Sequence, residues 1–136
     1  MLSAVTTVMM LGEIPGPDEL GALRIDPPAG EAPLAARVCA EITRLAPAPP
    51  LLIVAVGSLA TLVPSIALAQ RAARRPVLGY VLIDPEYPPV SESWPDARVH
   101  VLGTEGFDVR TAQLRGWETG SVSSVHDLVR SILSNY

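Results

Sequence analysis

Apolar residues fall into two kinds of pattern along this chain. Continuous runs occupy Ala4 to Leu11, Leu51 to Val56, "VLGYVLID" and "RVHVLG", and "ALRID" is a shorter run ending at the turn "PPAG". Between them lie stretches of helical spacing. Leu34, Val38, Ile42 and Leu45 define an amphipathic helix that stops before "APAPP", and Leu59 to Arg75 predicts a helix bent at Pro64, where a backbone donor is missing. Val125, Leu128, Val129, Ile132 and Leu133 share one face of a last helix, with Ser123 or Ser124 as its cap. Strands that are apolar throughout are covered on both faces, and helices separate most of them here. The pattern therefore predicts an α/β domain of about five mainly parallel strands flanked by helices. Chemistry in such sheets gathers at the carboxyl ends of the strands. Those ends are Gly12-Glu13, Gly57-Ser58, Asp84-Pro85-Glu86 and Thr104-Glu105.

Composition narrows what those ends can bind. A chain of 136 residues makes one domain, residues 1–136, and nothing in it reads as a linker or an internal repeat. Its net charge of −4 leaves no basic patch for nucleic acid or for an anionic membrane surface. Cys39 is the one cysteine, so neither a disulfide framework nor a cysteine metal cluster is expected, which fits a reducing cytoplasm. Its spacing with Val38 and Ile42 suits a small buried hydrophobe. The apolar start has no basic region or small-residue cleavage site and does not read as a signal peptide. Leu51 to Ala69 is long and uncharged, but Gly57-Ser58 and Pro64 divide it, and it reads as strand plus helix instead of a membrane span. The mean hydropathy of +0.33 is high for a small soluble domain, and a second subunit covering apolar surface would account for it.

Candidate chemistry centres on "LLIVAVGSLATLVPSIALAQ". A serine on a tight strand-to-helix turn is lifted out of the sheet, and the next N–H faces a developing oxyanion. Those groups would be Ser58 and the backbone of Leu59. Small residues are needed two positions to either side; Ala60 meets this, whereas Val56 stands where glycine is expected and Gly57 fills the variable position. Asp84 can hold the tautomer of an imidazole beside the serine, or can simply form a turn before Pro85. His100 sits mid-strand, away from the carboxyl ends. Two separated histidines and one cysteine give no metal-ligand spacing, and "GPDELG" lacks the glycine spacing of a phosphate or dinucleotide loop, so no cofactor or metal is expected.

With these residues in place, "LLIVAVGSLATLVPSIALAQRAARRPVLGYVLIDPEYPP" resembles the core of the thioesterase domains that release chains from modular polyketide and nonribosomal peptide synthases, members of the α/β-hydrolase superfamily. The specific part is "GYVLIDPEYPP": the family has such a strand, ending in its catalytic aspartate and followed by a Tyr-Pro-Pro turn. The resemblance implies Asp84 as that aspartate and Ser58 as nucleophile. "TTVMMLGEIPGPDEL" is similar to the family's first conserved strand and oxyanion loop, implying N–H donors from Gly12 and Glu13. "LRIDPPAGEAPLAARVCAEI" is similar to the family's next strand, turn and helix, and "ARVHVLGTEG" and "AQLRGWETG" resemble its late strands leading to the catalytic histidine.

The departures are equally informative. The family's antiparallel first strands and its helical lid are missing, Asp84 and Arg98 being joined by a short Pro-rich loop. The histidine slot falls near Thr119 to Ser121, where the chain reads "TGSVSSVHD", and His126 follows in the first turn of the last helix. His126 is either a displaced base or a packing residue; without a base a serine hydroxyl is a weak nucleophile. In "GTEG", Gly106 stands where other superfamily members place an acid, and Glu105 and Asp108 read as solvated loop charges without a role. The expected fold is a minimal, lidless α/β-hydrolase-like sheet with "ALRID" at an exposed edge, which invites a homodimer. Three functions fit: acyl transfer from a thioester-bound or activated polyketide-like intermediate through Ser58, Asp84 and His126; a non-hydrolytic cyclase or isomerase using Asp84; or a catalytically dead interaction module.

Overall fold

The computed structural model describes residues 7–12, 22–27, 29–89, 97–121, 123 and 125–134. Among the described residues six strands form one sheet: β1 (Thr7–Leu11), β2 (Leu23–Arg24), β3 (Leu51–Val56), β4 (Val77–Ile83), β5 (Arg98–Gly103) and β6 (Glu118–Ser121). Their order is β2-β1-β3-β4-β5-β6 and every pairing is parallel. The helices are α1 (Leu34–Leu45), α2 (Val63–Ala72), α3 (Arg110–Leu114) and α4 (Val125–Ser134).

The residues explain both layers. Leu51, Ile53 and Ala55 alternate with Leu52 and Val54 along β3, and all five are fully buried because each set meets a different layer. The first set packs with Val38 and Ile42 of α1, Val63 and Ile66 of α2, and Ala112 of α3. Leu52 and Val54 share the opposite cluster with Val125 and Val129 of α4. Right-handed crossovers account for this division: β2 to β3, β3 to β4 and β5 to β6 all step the same way across the sheet, so their helices lie on one face.

Local signals end the elements. Helix α1 stops at Ala46, whose φ of 46° turns its N–H back to the carbonyl of Ile42. Burying Ile42 completely is worth about 1.5–3 kcal/mol.

Four expectations are corrected. The sheet has six strands, not about five, because "ETGS" in the expected histidine loop pairs with β5 as β6. A short helix, α3, precedes it. "ALRID" contributes only two strand residues, and these form one edge of the described sheet. Pro64 does not bend a helix: residues 57–62 are a 3-10 turn, and Pro64 lies in the first turn of α2, where its missing N–H has no intrahelical acceptor to lose. Cys39 packs half-buried against the core, and burial pushes its thiol pKa up.

Candidate functional site at the carboxyl ends

Strand order reverses between β1 and β3: the chain leaves β1 for β2 on one side and leaves β3 for β4 on the other. A crevice at the carboxyl ends of two such strands is where open parallel sheets bind ligands. Gly12 follows β1 and Gly57 follows β3, both with positive φ, 93° and 62°. The two glycines serve different needs. A Cβ on Gly12 would lie 3.1 Å from Leu59 Cδ1 and from Val56 Cβ, so its absence lets the end of β1 close against the corner. Among the described residues, its two chain neighbours aside, a Cβ on Gly57 would meet nothing within 4 Å. The corner therefore opens outward at Gly57.

Ser58 follows as an exposed residue of the 3-10 turn, and its carbonyl accepts the Thr61 hydroxyl at 2.7 Å. In a nucleophile elbow the strained residue is the nucleophile itself, because the strain aims its side chain out of the sheet. Here the positive φ belongs to Gly57. Leu59 is partly buried against the core. Gly12 lies at the site, whereas Glu13, the other expected oxyanion donor, lies outside the described residues.

Asp84 directly follows β4 at φ 43°, a left-handed conformation that aspartate tolerates better than most residues. Its carboxylate is held on both oxygens by one neighbour. The Thr104 N–H donates to Oδ1 at 2.9 Å and the Thr104 hydroxyl to Oδ2 at 2.7 Å. The Asp84 N–H donates to the carbonyl of Leu102 at 3.0 Å. Asp84 thus clips the end of β4 to the end of β5, the neighbour on the side away from β3. The Glu86 N–H donates to the Gly57 carbonyl at 3.1 Å and ties the following loop to the corner.

That loop is anchored farther on by aromatic residues. Tyr87 lies 6.3 Å from Trp117 and 6.5 Å from Phe107, ring centre to ring centre. The Arg115 guanidinium sits 5.4 Å from the Tyr87 ring and 5.1 Å from the Trp117 ring, and donates to the Pro88 carbonyl at 2.7 Å. Burial pushes the Tyr87 hydroxyl pKa up.

The structure brings Gly12, Gly57, Ser58 and Leu59 together at the reversal point. His126 is the second residue of α4, half-buried, on a helix that packs on the sheet face opposite α2. Asp84 engages Thr104 where the expected site would have it engage an imidazole. Among the expected solvated charges, Asp108 accepts from the Arg110 backbone at 2.9 Å at the start of α3 and pairs with its guanidinium; these bonds hold its carboxyl down to about 2. Sequence reasoning marked Thr104 and Gly57 as strand-end residues but missed the bond of Thr104 to Asp84, the outward corner at Gly57 and Arg115 altogether. Gly57 and Thr104 had a local signal, each directly following an apolar strand, whereas Arg115 had none.

Among the described residues no three His, Cys, Asp or Glu side chains are grouped to hold a metal ion, and no helix is long and apolar enough to cross a membrane. Comparisons with protein-family models, with curated proteins and with solved structures find no match.

Proposed function

We propose that this chain is a lidless, thioesterase-like domain of the α/β-hydrolase kind that holds a thioester-bound or activated polyketide-like intermediate at the carboxyl end of its sheet without forming an acyl-serine. One observation carries this reading: the positive-φ corner beside the reversal point is a glycine over open space, with Ser58 one residue later. An acyl chain can approach the backbone there because, among the described residues beyond its two chain neighbours, no side chain stands over Gly57. The Asp84–Thr104 clip supports the same reading, since both oxygens of the carboxylate are aimed at the first residue after β5 and neither at an imidazole. Acyl transfer through Ser58 with His126 as base asks a side chain of α4, a helix on the sheet face opposite α2, to reach the corner.

The test is titration with hexanoyl-N-acetylcysteamine, followed through backbone amide NMR signals. Saturable shifts are expected at Gly12 and from Gly57 to Ala60, and Ser58→Trp, which fills the exposed corner, should abolish them. Shifts absent from these amides, or unchanged in Ser58→Trp, would refute the assignment of the crevice.

A further inference from the structure

At the other end of the sheet, α4 and the amino ends of β4, β5 and β6 enclose a cleft of about 500 Å³. This lies within the range of about 300–1,000 Å³ usual for small-molecule pockets. Its apolar wall is Leu78, Leu128 and Ile132, and its polar groups are Arg98, His100, Glu118 and Ser131.

The polar groups are arranged by strand register. His100 pairs directly with Glu118 across β5 and β6, which brings His100 Nδ1 to 3.1 Å from Glu118 Oε2. Arg98 Nη1 reaches the other oxygen of the same carboxylate at 3.4 Å. His100 is one of the few buried polar side chains, at 8 % exposure, whereas Arg98 and Glu118 are exposed. Burial lowers the His100 pKa, against the opposing pull of Glu118 and with some help from Arg98. The imidazole is therefore neutral at pH 7. With the Glu118 carboxylate 3.1 Å from Nδ1, the negative charge favours the ring proton on that nitrogen and leaves Nε2 as a hydrogen-bond acceptor.

Charge selects the class of ligand. Arg98 and Glu118 neutralise each other at the rim, so the cleft attracts neither an anion nor a cation strongly. A buried neutral acceptor beside three aliphatic side chains asks for a hydroxyl donor on an apolar body. We infer that this cleft is a binding site for a small, uncharged phenol or alcohol, its hydroxyl donating to His100 Nε2 and its hydrocarbon part lying on Leu78, Leu128 and Ile132. The site is separate from the carboxyl-end crevice and does not depend on its assignment.

Two matched probes test this. 4-Propylphenol and propylbenzene differ only in the hydroxyl, and binding is read by amide shifts along α4 and by the ring nitrogen shifts of His100. The expected result is saturable binding of 4-propylphenol that moves the His100 Nε2 signal, with propylbenzene about tenfold weaker, the worth of one hydrogen bond of about 1.4 kcal/mol. Leu128→Trp should block binding by filling the cleft, and Ser58→Ala, at the other end of the sheet, should leave it unchanged. Equal affinity for both probes would reduce the cleft to an apolar crevice and overturn the inference. So would binding that leaves His100 Nε2 unmoved, or saturation by neither probe at millimolar concentration.

Discussion

Alanine at Gly12 and alanine at Gly57 make a matched pair, because both glycines follow adjacent parallel strands with positive φ but only one is crowded. An L-residue in the left-handed region costs about 1–2 kcal/mol, and the stiffer unfolded chain returns about 0.4–1 kcal/mol of that. Gly57→Ala adds no contact cost, since its Cβ would enter open space. Its net loss is then about 1 kcal/mol, roughly 4 °C in melting temperature for a domain of this size. Gly12→Ala carries the same backbone cost and also sets a methyl 3.1 Å from Val56 Cβ, which belongs to the rigid end of β3. Overpacking of this kind adds about 1–3 kcal/mol, for a total near 3 kcal/mol and a loss of roughly 10 °C. Urea unfolding monitored by circular dichroism, alongside calorimetry, measures both. Equal losses in the two variants, or a larger loss for Gly57→Ala, would refute the claim that the corner opens outward at Gly57, and with it the site proposed there.

Three further outcomes follow from the same geometry. Asp84→Asn keeps a residue that tolerates positive φ but removes the charge from the bonds to Thr104, so it should lose about 1–2 kcal/mol in urea unfolding. Thr104→Val should lose a similar amount and the double variant less than the sum, the signature of a shared contact. Arg115→Ala removes the cation against the Tyr87 and Trp117 rings and the bond to Pro88, and should cost about 2 kcal/mol and speed amide exchange in the loop after Asp84; Arg115→Lys, lacking the planar fork, should not restore protection. His100 titrates below its ordinary 6.5 in the folded chain, so between that lowered value and 6.5 the unfolded chain binds more protons. Stability from this group is complete above pH 6.5 and falls as acid is added through that window. An NMR titration of the His100 ring checks it, and Glu118→Gln should lower the midpoint further, because the Glu118 charge opposes the effect of burial.

Much of the fold was legible because parallel strands buried on both faces leave continuous apolar runs. Leu51–Val56, Val77–Ile83 and Arg98–Gly103 were readable as strands on that ground, and Leu34–Leu45 as a helix from its spacing. Strand β6 left no mark in the hydrophobic pattern, since Glu118–Ser121 is exposed at every position and owes its conformation to its pairing with β5; only the resemblance of "AQLRGWETG" to a late strand pointed to it. Nor was α3, whose five residues hold one buried side chain, Ala112. At the carboxyl ends the chain marked the right places without showing their partners. Asp84 was visible as a strand-end carboxylate, but its bond to Thr104 joins residues twenty positions apart and depends on how β4 and β5 end together. The same holds for His100, which its mid-strand position made unremarkable until the register set Glu118 beside it.

The most direct measurement of the central claim is intact-mass analysis of the protein incubated with hexanoyl-N-acetylcysteamine, with thioester consumption followed in parallel for the wild type and Ser58→Ala. The account predicts no covalent acyl adduct and the same background rate of thioester loss in both proteins. An acyl group mapped to Ser58, with turnover lost in Ser58→Ala, would contradict it and make Ser58 the nucleophile.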